Sequence, residues 1–305
     1  MYGIVRTTPR RRYTTTIRGG GTMHRRRFVE RLGLGMLGLA AGARGGGRVP
    51  PGARRLTRIG LELYSVRDAM RRDPERTLAA VRAMGYTDVE LLWTFGNFGR
   101  SPAQVRAALD REGLRAPSAH ISPAAVLVGW ERSLDVARML GHETLVVPSF
   151  TVDTSRTLDD WKEWAERFNR AGEVARRHGI WLAFHNEPGH QQPLEGRVPI
   201  DFFAESTDPA VVRLQLDVGN MVMGGGDPHA FLERHAARCW SFHLKDVVAD
   251  RTRDTELGTG SVDLRRILAA IPDVDQKSFF VEQEGARDSL ASAREDLAYL
   301  ARLEF

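Results

Sequence analysis

The chain alternates between short apolar runs and longer stretches in which apolar residues recur every three or four positions. The runs fall at 58–65, 87–93, 115–121, 143–149, 180–187, 212–218, 239–245 and 278–284, a length that suits strands. The stretches between them have helical periodicity and lack hairpin turns. Asp73-Pro74 and Ser101-Pro102 each set a capping side chain before a proline at the first helical position, where the missing N–H costs nothing. Residues 156–178 predict a long amphipathic helix with Trp161, Trp164 and Phe168 at helical spacing. His178-Gly179 ends it with a basic last turn and a C-terminal glycine. Eight strand–helix units in about 250 residues match an α/β fold of the (β/α)8 barrel type. A doubly wound sheet would carry a glycine-rich turn after its first strand, and Arg58-Ile59-Gly60-Leu61-Glu62-Leu63-Tyr64 has none. The pattern therefore predicts one barrel domain over residues 56–305, behind a leader at 1–55.

Charge sets the two parts of the chain apart. The net charge is +5, yet residues 1–48 hold eleven Arg, no Lys and one acid, Glu30, so the remainder carries −5. A body that is mildly acidic does not offer the concentrated basic surface that nucleic acid needs. The leader sets Arg25-Arg26-Arg27-Phe28 ahead of a short, glycine-interrupted apolar run, Leu32 to Ala41. That run is too short for a stable membrane span. A twin arginine before such a run resembles a Tat export signal at about 23–45. It implies the Tat machinery as a partner and a periplasmic or secreted protein, with Met23 as a plausible initiator. The single cysteine, Cys239, excludes an intrachain disulfide, which suits a protein exported already folded. At a strand start it is expected to be an inert buried hydrophobe.

Four predicted strands end in residues able to hold a divalent metal. They are LAFHNE with His185 or Glu187, LQLDVGN with Asp217, SFHLKD with His243, and FFVEQE with Glu282 or Glu284. A carboxylate or imidazole buried at the end of an apolar strand is costly unless something pairs it. Four at successive strand ends suggest one shared ligand, a metal being the simplest. In a barrel those ends converge on one mouth. Side-chain alternation puts Ala183, His185 and Glu187 on one face, and Phe280, Glu282 and Glu284 on another, so parity leaves two candidates on each strand. Asp217 and His243 each follow an apolar stretch and are better determined.

Leu216-Asp217-Val218-Gly219-Asn220, His243-Leu244-Lys245-Asp246, Leu257-Gly258-Thr259-Gly260-Ser261-Val262-Asp263 and Val281-Glu282 resemble the xylose-isomerase-like barrel superfamily. Together with the opening Ile59 to Asp68, they are similar to its sugar phosphate isomerase/epimerase branch, over residues 57 to about 300. The resemblance implies one divalent metal, Mn, Co, Zn or Mg, held by Asp217, His243, Glu282 and a strand-five residue. In the sugar epimerases that residue is a glutamate, and here the position falls on His185. Either His185 replaces the carboxylate, or Glu187 reaches in from two residues further.

The resemblance implies an isomerase or epimerase of a sugar or sugar derivative that abstracts a proton next to a metal-polarised carbonyl. Catalytic candidates are Glu282, His185, Glu187 and Lys245, the lysine adding positive charge or contacting a substrate hydroxyl. Tyr64, Trp93, His120, Asn220 and Lys245 are candidates for binding the carbohydrate, with the aromatics as stacking surfaces. Export argues against a phosphorylated substrate, and no glycine-rich or basic phosphate cradle opens a helix. Histidine at the strand-five position weakens the two-carboxylate arrangement that suits epimerisation. A lyase or dehydratase of 3-keto-glycosides or keto-polyols is therefore the alternative. Less favoured are a sugar-binding barrel without activity and an abasic-site endonuclease, which would need more histidines from early strands and a basic face.

Overall fold

The computed structural model describes residues 54–151 and 154–305. The expected leader, with its Tat-like signal and most of its linker, lies outside the described residues. Every predicted run contains a strand: β1 (Gly60–Glu62), β2 (Asp88–Leu92), β3 (Arg115–His120), β4 (Thr144–Val147), β5 (Trp181–His185), β6 (Val212–Asp217), β7 (Cys239–Leu244) and β8 (Ser278–Val281). All pair in parallel with their sequence neighbours, and β8 pairs with β1 to close the barrel. The apolar runs overshoot the strands. In β5 the run continues to Glu187 but the strand stops at His185, where Pro188 starts a 3₁₀ turn at Pro188–Gln191.

The predicted helix starts are present. The Asp73 side chain accepts the N–H of Arg76, and Ser101 with Gln104 forms a reciprocal capping box. The long helix runs Leu158–Arg177, capped by Thr157 and Asp160, and Gly179 leaves it at φ +77°. Its Trp161, Trp164 and Phe168 are buried against β5 and helix Pro199–Ser206 through Phe150, Phe184 and Phe203, where Phe150 stacks at 4.4 Å on Trp164 and 4.6 Å on Phe184. Cys239 is fully buried, and burial pushes its thiol up to about 12, as expected for an inert hydrophobe.

Such barrels usually fill their interior with branched aliphatics. This one sets a Phe280 ring against Gly60 low down and polar residues above. Gly60 leaves room for Phe280: a Cβ there would lie 2.4 Å from the ring. Above it, Glu62, Glu90, Ser118, His120, His185, Gln215, Ser241 and His243 are all buried. Past β7 the chain forms a two-stranded pair, Asp246–Val247 with Asp254–Thr255. The Asp246 carboxylate accepts the N–H groups of Gly258, Gly260 and Val262 at 2.9, 3.0 and 2.9 Å. The HLKD and LGTGSVD motifs, on either side of that pair, are thus one structural unit. No described helix is long and apolar enough to cross a membrane.

Candidate metal centre

His185 ends β5, Asp217 ends β6, His243 stands in β7 and Glu282 follows β8. The β6–β7 register sets Asp217 opposite His243. One donor atom from each of the four residues lies within 4.8 Å of the others, and all four side chains are buried. Asp217 caps helix Val218–Met223 with Oδ1, which accepts the Asn220 N–H at 2.8 Å. Its Oδ2 therefore turns to the centre, 3.6 Å from His185 Nε2 and 3.9 Å from His243 Nδ1. Neither His185 nitrogen has a hydrogen-bond partner, a costly state for a buried imidazole without a ligand. Two nitrogens and two carboxylates at this spacing fit a divalent cation of the Zn, Co or Mn type.

The two ambiguities left by strand parity separate in the structure. His185 joins the cluster. Glu187 lies past the strand end, where its backbone N–H donates to His190 Nδ1 at 3.0 Å and its carboxylate accepts from Asn220 Nδ2 at 3.3 Å. Burial raises its pKa. Glu282 likewise joins the cluster, whereas Glu284 sits at the rim with its side chain 43% exposed.

Lys245 is fully buried. Its Nζ lies 2.9 Å from Asp217 Oδ2, 3.1 Å from Glu282 Oε2 and 2.7 Å from Glu284 Oε1, and it donates to Asn220 Oδ1 at 3.0 Å. Burial alone would lower its pKa, but the three carboxylates hold it well above the ordinary lysine value. Gly219 makes this placement possible, because a Cβ there would lie 2.5 Å from Lys245 Cγ.

Beneath the four donors lies a polar layer, of which sequence reasoning missed Glu62, Glu90 and Gln215. His243 spans two carboxylates, with Nδ1 2.7 Å from Glu282 Oε2 and Nε2 2.5 Å from Glu90 Oε2. Burial opposes the charged imidazole, but Glu282 and Glu90 hold its pKa up to about 10. Burial likewise opposes the Glu90 carboxylate, and the charged His243 overcomes it, so Glu90 stays charged. Gln215 Nε2 donates to Glu90 Oε1 at 2.9 Å, and Gln215 Oε1 lies 2.8 Å from His120 Nε2. Glu62 is fully buried and faces the Glu90 carboxylate. Burial, then the charge of Glu90, pushes it well above the carboxylate range. Burial also depresses His120 to about 4, so it stays neutral. Glu62, Glu90, His120 and His243 form a second group of donors within 4.8 Å. The signal was present in the sequence, since Glu62 is the lone carboxylate of its apolar strand run and Glu90 sits between Val89 and Leu91 in its own.

A cavity of roughly 190 Å³ opens above the centre. One wall is Tyr64, Leu92, Thr94, Phe95 and Pro148; the other is His120, His185, Glu187, Asn220, Glu282 and Glu284. Tyr64 packs edge-on against Phe95, with ring centres 5.7 Å apart. Of the candidates for binding carbohydrate, Tyr64, His120 and Asn220 line the cavity and Lys245 does not. Trp93 does not line it. The alternation that faces Leu92 inward sends Trp93 outward, where its ring packs 5.6 Å from His142, and Phe95 supplies the second aromatic surface. His190 lies under this wall, stacked on Phe184 at 5.4 Å. His142 is structural, its Nδ1 2.5 Å from Ala116 O. On helix Pro228–His235, His235 does not project freely into solvent but holds Asp201 at 2.8 Å.

Comparison with known proteins places these residues in context. A family model described as the xylose isomerase-like TIM barrel matches residues 78–303. An inosose dehydratase from Bacillus cereus is 25% identical over 163 residues, covering 48% of this chain and 54% of that protein. The chain therefore spans about half the length of that curated relative. A crystal structure of a sugar phosphate isomerase/epimerase from Parabacteroides distasonis superposes with a TM-score of 0.70 at 24% identity, covering 87% of this chain and 99% of that one. The IOLI protein, solved with a zinc atom, superposes with a TM-score of 0.64 at 12% identity, covering 80% of this chain and 97% of that one.

Proposed function

The chain belongs to the xylose isomerase-like TIM barrel family, and on that premise we propose that it is a divalent-metal-dependent isomerase or epimerase of a sugar or sugar derivative. The observation that carries this proposal is the convergence of His185, Asp217, His243 and Glu282 around one point, with both His185 nitrogens left unpartnered. A cation held there supplies a Lewis acid for the substrate carbonyl. The remaining work falls to side chains. Lys245, buried among three carboxylates, adds positive charge beside the centre, where the substrate oxygen gains charge as the neighbouring C–H proton leaves. Glu187, in the cavity wall and steadied by Asn220, is the base placed to take that proton. Tyr64 and Phe95 offer an apolar wall to the C–H face of a ring.

A second outcome is supported by His185. With histidine where the sugar epimerases carry glutamate, one carboxylate fewer is available to return the proton to the opposite face. Loss of a β-substituent then competes: the C–H proton goes to the base, the electron pair forms the double bond, and the leaving group departs with a proton. The inosose dehydratase name of the Bacillus cereus relative supports that lyase alternative. The test is to incubate metal-loaded protein in D₂O with ketoses, a keto-inositol and 3-keto-glucosides. Solvent deuterium in an epimer or isomer with its skeleton intact supports the first outcome, and loss of water or aglycone supports the second. Substrate binding without turnover, whatever the metal, would sink both and leave a binding barrel.

The Arg25-Arg26-Arg27-Phe28 pattern alone supports Tat export and a location outside the cytoplasm. Replacing Arg25, Arg26 and Arg27 with Lys and fractionating cells tests it; unchanged export would count against the Tat route.

A further inference from the structure

His243 reaches across the barrel interior between carboxylates from opposite sides. Its Nδ1 faces Glu282 and Asp217; its Nε2 faces Glu90, on β2. A neutral imidazole has one N–H and one lone pair, so whichever group takes the N–H decides which nitrogen can bind a metal. Glu90 is a pure acceptor whose position is fixed from below. The Ser118 hydroxyl and the Gln215 amide donate to its Oε1. Gln215 is itself held by His120 at 2.8 Å and by the Ser241 hydroxyl at 2.7 Å. Filling an interior needs no carboxylate, and burying one is costly. Aliphatic side chains would fill this layer without that cost.

We propose that Glu90 is a positioning residue for the metal centre: it takes the Nε2–H of His243 and thereby commits the Nδ1 lone pair to the cation. The arrangement is a carboxylate–histidine–metal relay running from β2 to β7, with Ser118 and Gln215 as its anchor. Glu90 touches neither cation nor substrate and acts only through His243. The proposal rests on the metal-centre function above, and the experiment separates the two.

Zinc affinity is measured by chelator competition for the native protein and for Glu90→Gln, together with the proton NMR signal of the His243 Nε2–H in the zinc-loaded forms. The native protein should show a strongly downfield, slowly exchanging Nε2–H. The variant should lose that signal and bind zinc about 10- to 100-fold more weakly. Ser118→Ala, which keeps the carboxylate but removes one anchor, should weaken zinc binding less, and it serves as the test if Glu90→Gln does not fold. A native protein that binds zinc, with variants that bind it equally well and keep the Nε2–H signal, overturns the role of Glu90 and leaves the metal centre standing. A native protein that takes up no metal overturns both.

Discussion

The two ends of the barrel handle charge in opposite ways. At the N-terminal ends of the later strands, cations alternate with aromatic faces. Arg176 lies over Trp181 at 3.7 Å, Arg213 sits between Trp181 and Trp240 at 3.6 Å from each, and Lys277 lies over Trp240 at 3.9 Å. Each charge there meets a π face, and although Arg213 Nε is buried without a hydrogen bond, no carboxylate–imidazole cluster forms among these residues. At the C-terminal ends, carboxylates and imidazoles are crowded together and left incomplete: His185 is buried with neither nitrogen hydrogen-bonded. Such a mouth is costly to fold, and the cost makes sense only if something binds there. The floor is built for stability and the mouth for chemistry, the division this fold shows generally.

The sharpest way to break that comparison is at the mouth. Asp217→Ala should abolish stoichiometric metal uptake, and His185→Ala should weaken it by ~100-fold or more, as read by metal analysis after dialysis. Uptake retained in His185→Ala would transfer the fourth ligand to Glu187 and restore a two-carboxylate mechanism. In the metal-free protein His185→Ala should barely lower the melting temperature, because it removes an imidazole buried without a hydrogen bond, whereas Asp217→Ala should lower it by removing a helix cap and a partner of the buried Lys245. At the floor the signs reverse. Trp240→Ala opens the middle of the cation–aromatic ladder and should cost about 2 kcal/mol of stability through its two cation–π contacts while leaving zinc affinity unchanged. A floor variant that altered metal affinity would show that the two ends are coupled, and the division would fail.

The same contrast marks what the sequence made legible. Strands and helices were readable because β1 to β8 each carry an apolar run and the helices carry caps such as Asp73-Pro74. Asp217 and His243 were readable because each breaks an apolar stretch near its end. Parity could not separate His185 from Glu187: alternation says which face a residue takes, but the strand stops at His185, and the Pro188 turn carries Glu187 up into the cavity wall. Glu62 and Glu90 carry the same mark as Asp217, yet lie on strands outside the four whose ends spell a ligand set. Their partners, His243 for Glu90 above all, are 153 residues away and come together only when the barrel closes. Phe95 lay beyond reach for another reason: its direction depends on a loop in which Gly96, Asn97 and Phe98 all take positive φ.

Gly219 sharpens the comparison within the mouth, because it separates the lysine from the metal ligands. Gly219→Ala keeps an ordinary helical backbone but drives a methyl into the Lys245 stem. The lysine must shift from Asp217 and Asn220, and turnover should fall about 10-fold with metal content unchanged. Loss of metal instead would mean that Lys245 and the ligands move as one unit.

The smallest effect lies between the two ends, at Asp296. Its Oδ1 accepts the Leu257 N–H at 2.7 Å, fastening helix Ser289–Leu300 to the loop that follows β7. Burial, only partly offset by that hydrogen bond, pushes its carboxyl up to about 7. The folded state therefore holds this proton more tightly than the unfolded chain, whose aspartates titrate near ~3.9. The stability it contributes is complete below about pH 4, declines as pH rises towards 7, and is gone above that. Asp296→Asn keeps an acceptor for Leu257 and removes the titration, though its unpaired amide N–H gives back part of the gain. The variant should be the more stable protein by about 1 kcal/mol at pH 8 and no more stable than native at pH 4.5, measured by urea unfolding at the two values. Equal differences at both would mean that the carboxylate is already charged in the fold. The contrast in tolerance for buried charge would then stop at the barrel mouth, without reaching the helix behind it.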